Sequence, residues 1–101
     1  MSKELLAASE TAYEVVSEYS RDLQNFIGEM SDEASAVESA LQTMGNYWSG
    51  ELYDDFAKNI RKKTSDIRSQ LERGEALKKT LDKASVRLQR IVEMLRASSE
   101  Q

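Results

Sequence analysis

The chain contains no cysteine, no histidine and no proline, and only four glycines and one tryptophan in 101 residues. Without cysteine there is no disulfide, no thiolate metal site and no thiol nucleophile. Without histidine the commonest general base and the commonest transition-metal ligand are both missing. Without proline nothing of that kind interrupts a long helix. The sequence opens Met1-Ser2-Lys3-Glu4-Leu5-Leu6, with no apolar run of signal-peptide length, and no later stretch approaches a membrane span. Export, if it occurs, is therefore expected to proceed without a cleaved signal peptide, from a cytoplasmic starting point.

Candidate chemistry is equally sparse. The acidic pairs Asp32-Glu33 and Asp54-Asp55 lack the spacing of a calcium loop and read as solvated helix acids. No serine has a histidine or lysine base at motif spacing, and there is no glycine-rich phosphate loop. The expectation is a non-enzymatic protein with no catalytic residue, no metal and no cofactor.

What is present is helical periodicity. Val16, Leu23, Met30, Val37 and Met44 recur every seven residues without a break. Beside them run Leu5, Ala12, Tyr19 and Phe26, and the row is then read as stepping over to Ile27, Ala34 and Leu41. A one-residue step is what a helix of 3.6 residues per turn produces against a seven-residue repeat. The second half repeats the pattern with Ile60, Ile67, Gly74, Leu81, Leu88 and Leu95. Phe56, Leu71, Leu77, Ala84, Ile91 and Val92 lie near that row. Each stripe covers about forty residues, roughly 60 Å of helix, and argues for coiled-coil-like packing. Gly28 weakens the first helix without breaking it, and Ser31-Asp32-Glu33 is its weakest stretch, where a kink has room to form. Gly74 in an apolar row either admits another backbone or leaves a gap. The polar tail beyond Leu95 is expected to fray.

The two stripes meet at Asn46-Tyr47-Trp48-Ser49-Gly50. Gly45 is read as the left-handed residue that ends the first helix, and Ser49 as the N-cap of the second. Glu51, Asp54 and Asp55 would then complement the second helix dipole. The fold class expected is all-α: one domain over 1–101, a hairpin with helix 1 at about 3–44, a turn at about 45–50 and helix 2 at about 51–96. Residues whose numbers add to roughly 95 would face one another, placing Leu23 near Leu71, Met30 near Ile67 and Val37 near Ile60.

Charge supports the pairing. Residues 1–47 carry nine acidic side chains against Lys3 and Arg21, whereas residues 51–101 carry twelve basic against nine acidic. Antiparallel helices of opposite balance attract. Acids interleave the basic clusters Arg61-Lys62-Lys63 and Lys78-Lys79, and the net charge of −4 argues against nucleic acid. The acidic first helix would be repelled by anionic lipid, so no membrane association is expected at rest. Two helices touching along one seam cover little surface, and a lone hairpin of this size should be marginal. The helix-packing and dimer residues expected are Val16, Leu23, Met30, Val37, Met44, Ile60, Ile67, Leu71, Leu81, Leu88 and Leu95. In the turn, Trp48 either plugs the open end of the hairpin against Phe56 or anchors a partner.

With Trp48-Ser49-Gly50 at the centre and Phe56 eight residues beyond the tryptophan, the chain resembles the WXG (Trp-x-Gly), or ESAT-6-like, proteins of bacterial type VII secretion. The resemblance covers the architecture of the whole chain but only a handful of positions. It implies a hairpin that dimerises, with itself or a related helical protein, into an antiparallel four-helix bundle. It further implies a substrate or co-secreted partner of a type VII machine, meeting the secretion ATPase or the N-terminal helices of a larger toxin. Family members or their partners often carry a Tyr-x-x-x-Asp/Glu signal after the second helix, whereas the last tyrosine here is Tyr53. Tyr47 and Glu51 have that spacing but straddle the turn. The departure leaves two alternatives to the exported reading: a targeting chaperone that stays behind, and a cytosolic coiled-coil adaptor.

Overall fold

The computed structural model describes residues 3–99, which form two helices and one turn: α1 (Lys3–Gly45) and α2 (Glu51–Ser99). There is no strand among the described residues, and the fold is all-α helix-turn-helix. Neither helix contains a proline, and α1 runs as one helix through Ser31-Asp32-Glu33. α2 also continues past Leu95 to Ser99, because good helix formers such as Arg96 and Ala97 extend it where no apolar contact is needed. The last two residues of the expected frayed tail lie outside the described residues.

The chain divides into two compact units, Asn25–Glu75 and Met1–Gln24 with Ala76–Gln101. The Asn25–Glu75 unit holds the turn and the best-buried side chains. Leu41, Tyr53 and Ala57 form its core cluster, with Met44 and Ile60 packed against it. Ile27, Ala34 and Leu71 are buried in the same unit. Thr64, also buried, satisfies its hydroxyl by donating to the Ile60 carbonyl at 2.9 Å.

In the other unit the buried side chains are Ser9, Ser20 and Val92 among the described residues. Polar contacts hold its two segments together. The Ser17 and Ser85 hydroxyls lie 2.8 Å apart, and Ser20 donates to Asp82 Oδ1 at 2.5 Å. Arg96 pairs with Glu10 at 3.6 Å, while within α2 Lys78 Nζ donates to the other oxygen of Asp82 at 2.6 Å and so orients it.

These contacts correct two sequence expectations. First, the seam of α1 does not step. It follows Leu6, Tyr13, Ser20, Ile27, Ala34 and Leu41, an exact seven-residue row. Leu5, Tyr19 and Phe26, expected beside the seam, are exposed. The row is hidden from a hydrophobicity reading because Ser20 sits in it. In α2 the matching row is Ala57, Thr64, Leu71, Lys78, Ser85 and Val92, again masked by polar members.

Second, the register is shifted. Near the turn Leu41 meets Tyr53, as a sum of about 95 expects, but farther out Ile27 packs against the Gly74 position, Ser20 meets Asp82 and Ser17 meets Ser85, where opposing numbers add to 101 or 102. Side chains lean toward the N-terminus of their own helix, which adds residues to each antiparallel match. Met30, Val37, Ile60 and Ile67 do share one groove. Gly74 takes neither expected role, since a Cβ there would lie 3.3 Å from Ile27 Cδ1 and the vacancy is filled by that side chain.

Gly28 has nothing within 4 Å of a would-be Cβ and lies inside α1. Gly28→Ala therefore gains helix propensity without a clash and is expected to stabilise the chain by about 0.5–1 kcal/mol. A thermal melt reads this as a higher Tm with unchanged helix content.

Candidate functional site: the turn aromatics and one apolar face

The turn is built by three hydrogen bonds and one glycine. Asn46 N–H donates to the Thr43 carbonyl at 3.1 Å, and Tyr47 and Trp48 N–H both donate to that of Met44, at 3.0 and 2.9 Å. The last carbonyls of α1 are thus satisfied by tightening of the final turn, with no left-handed residue there. Gly45 is therefore not the left-handed cap expected of it. Its role is to give room: a Cβ would stand 2.7 Å from Tyr53 Oη. That hydroxyl donates to the Leu41 carbonyl at 2.8 Å, tying the start of α2 to the end of α1.

The left-handed residue is Gly50, with φ of 108°, the one positive φ among the described residues. Its carbonyl accepts the first bond of α2, from Asp54 N–H at 2.9 Å, so Gly50 occupies the cap position expected for Ser49. A Cβ at this φ would be strained, which is why a glycine follows Trp48-Ser49.

Trp48 lies across the base of α2. Its ring centroid is 5.7 Å from that of Tyr53 and 6.3 Å from that of Phe56, both tilted, a favourable aromatic geometry. It remains 46% exposed, and Phe56 is 41% exposed. The tryptophan therefore both covers the hairpin end and presents a face outward. Tyr47 and Leu52 stand more exposed still beside it.

The remaining candidates sort by helical position. In α1 the seam row is flanked on one side by Val16, Leu23, Met30, Val37 and Met44, and beyond these by Leu5, Ala12, Tyr19 and Phe26. In α2 the seam is flanked by Ile60, Ile67, Gly74, Leu81, Leu88 and Leu95, and beyond these by Phe56, Leu77, Ala84 and Ile91. The structure leaves Val16, Leu23, Met30, Met44, Ile60, Leu81, Leu88 and Leu95 half-buried, Val37 and Ile67 exposed, and Leu71 buried.

Within the Asn25–Glu75 unit the flanking rows of both helices open onto the same side. Met30, Ala34 and Val37 of α1 and Ile60, Thr64 and Ile67 of α2 line a groove of about 150 Å³, with Glu33 and Lys63 at its edge. The opposite side of this unit is polar, a wider groove lined by Glu38, Gln42, Arg61, Ser65 and Arg68. There Arg68 Nε donates to Glu38 Oε1 at 2.8 Å and its Nη2 to Ser35 Oγ at 3.3 Å. The Arg68 hydrogen bond, with a smaller contribution from its charge, holds the Glu38 carboxyl below its ordinary range, and Glu38 raises Arg68 in turn.

The other unit has the same polarity on its seam side. Ser17, Ser20, Arg21, Gln24, Lys78, Asp82 and Ser85 line one groove, and Glu10, Tyr13, Glu14, Gln89, Val92, Glu93 and Arg96 another. Hydrogen bonds from Lys78 and then Ser20, with the Lys78 charge behind them, hold the Asp82 carboxyl below its ordinary value. A carboxyl depressed by folding contributes stability that is present above the unfolded pKa and disappears as pH falls through the folded one. Acid titration below about pH 4, the unperturbed carboxylate range, is expected to loosen this unit, and Asp82→Asn should flatten that part of the stability-versus-pH curve. Circular dichroism at fixed denaturant across pH 2–6 is the measurement, on the scale of about four pH units set by those carboxylates.

Among the described residues no group of acids could hold a metal ion, and no helix is long and apolar enough to cross a membrane. Sequence reasoning missed the polar seam members Ser17, Ser20, Lys78, Asp82 and Ser85. The seven-residue spacing of Ser20 with Ile27, and of Lys78 and Ser85 with Leu71 and Val92, was the available signal; Ser17 and Asp82 lie outside those rows. No protein-family model, curated protein or solved structure matches the chain.

Proposed function

We propose that this chain is a non-enzymatic partner-binding protein of the WXG (ESAT-6-like) kind, serving type VII secretion as a substrate or co-secreted partner. The observation that carries the reading is the distribution of apolar side chains. Much of the apolar mass of each helix lies beside the seam instead of in it. Phe26, Val37, Phe56 and Ile67 are exposed in one unit, and Leu5, Tyr19, Leu77 and Ile91 in the other. Contiguous exposed apolar surface on a small protein marks an interaction site.

The occupant proposed is another helical hairpin, a second copy or a related chain, packing its own apolar face on this one. Hairpins of this length have the surface to exceed the roughly 1,000 Å² at which an interface becomes specific. The half-exposed Trp48 beside Phe56 and Tyr53 adds an aromatic anchor at the turn, where one tripeptide supplies both the ring and the glycine that shapes the backbone around it. The likeness at Trp48-Ser49-Gly50 and Phe56 connects this binding mode to type VII export. Light scattering on the purified chain, alone and with its co-encoded helical neighbour, tests the assembly. Appearance in the medium only when the export machine is intact tests the secretion. A monomer at micromolar concentration indifferent to any helical partner would defeat the proposal.

Trp48→Ala separates the two roles of the tryptophan. Partner affinity is expected to fall by about 2 kcal/mol, roughly thirtyfold, on the hot-spot scale, while the helices remain folded. Isothermal titration with the partner and circular dichroism on the free chain give the two readings.

A further inference from the structure

We infer that residues 3–24 and 76–99 open on their own while Asn25–Glu75 stays folded, so that these outer helix segments are a built-in gate. The inference does not rest on the secretion reading. It rests on what lies between the helices in each unit.

In Asn25–Glu75 the seam is apolar except for Thr64: Ile27, Ala34, Leu41, Tyr53, Ala57 and Leu71 are buried in it. The turn links its helices covalently, and the Tyr53 hydroxyl bonds the Leu41 carbonyl across them. In the other unit Val92 is the one buried apolar side chain among the described residues, beside buried Ser9 and Ser20. The polar contacts that span it include a serine–serine pair, a serine–aspartate bond and an exposed ion pair, Arg96 with Glu10.

Each of these exchanges readily with water. An intramolecular hydrogen bond adds little net stability, because the same groups bond water when separated. An exposed ion pair adds little more. Fully buried apolar side chains, which drive closure most strongly, are concentrated in the turn unit, whereas those of the other unit, such as Leu23, Leu81 and Leu88, are half-buried. Units with few buried apolar contacts open locally at free energies well below global unfolding. The buried polar layer sets which residues meet, since each hydroxyl must find its partner, but holds them weakly.

Opening also has a direction. The seam halves released, Tyr13 and Ser20 on one side and Ser85 and Val92 on the other, adjoin exposed Tyr19 and Ile91 on their own helices. Separation therefore adds Tyr13 to the exposed apolar side chains of one helix end and Val92 to those of the other.

Native-state hydrogen exchange on the full chain tests this, read by mass spectrometry at two protein concentrations. At the lower one, amides of residues 6–20 and 78–95 are expected to exchange at least on the order of tenfold faster than those of 30–41 and 53–70. Equal protection in the two units, or faster exchange near the turn, would overturn the inference. In S17A/S85L an apolar contact replaces the hydroxyl pair, and exchange in 6–20 and 78–95 should slow several-fold with 30–41 unchanged. No slowing there, with the helices intact, would also overturn it. Protection that rises with concentration reports partner binding separately. The gate can therefore fail while the proposed assembly stands, and the reverse.

Discussion

Leu41→Ala is expected to destabilise the chain by about 2–4 kcal/mol, the range for emptying a leucine site in a closed core. Leu41 is 4% exposed and forms the core cluster of the turn unit with Tyr53 and Ala57. Relaxation cannot refill the site easily. Ala57 is small, and Tyr53 is held by its hydrogen bond to the Leu41 carbonyl, which the substitution leaves in place. Domains of this size are stable by only about 5–15 kcal/mol, so the loss is a large fraction of the whole. Urea titration should show the midpoint fall with little change in slope. Leu52→Ala is the control: Leu52 is exposed on the first turn of α2, and its removal should move the midpoint hardly at all.

The second large effect concerns association instead of folding. Ile67→Glu places a carboxylate in the apolar groove between Met30, Val37 and Ile60. In the free chain Ile67 sits at the edge of exposure, so the new charge reaches water and the helices persist. Once another helix covers the groove, that charge is buried without a partner. An unpaired buried charge costs about 3–5 kcal/mol, and assembly is expected to weaken more than a hundredfold. Sedimentation over a concentration series reads the assembly, and circular dichroism confirms the fold. Partner binding within a few-fold of the unmodified chain would show that this face is not the interface. Arg61→Glu, on the polar side of the same unit, should leave assembly unchanged.

The parts of this architecture that the sequence made readable share one property: each is signalled by apolar residues at fixed spacing or by a residue with no substitute. The two helices, the turn and the absence of strands among the described residues follow from stripes such as Ile60 to Leu95 and from the lack of proline. The exact seam did not follow. Ser20, Thr64, Lys78 and Ser85 occupy it, and a polar residue inside a contact looks the same in sequence as one outside. Exposed Tyr19 and Phe26 then drew the predicted seam toward themselves. At the turn, the need for glycine was readable, but its assignment was not. Gly45 makes room for Tyr53 and Gly50 takes the left-handed backbone, the reverse of what position alone suggested for Gly45. Tryptophan is readable as an anchor type, while its tilted packing on both Tyr53 and Phe56 needs coordinates.

The unbroken sevenfold spacing of both seams carries a constraint on how such a chain can change length. Inserting or deleting a single residue in α1 between Ile27 and Ala34 would rotate everything on one side of it by about 100°. Leu41 would swing out of the cluster with Tyr53, or Tyr13 and Ser20 away from their facing helix. Only additions of whole heptads, matched in both helices, preserve the alignment. Growth of this protein is therefore quantised, and single-residue slippage within either helix should be far more damaging than substitution of any one exposed side chain.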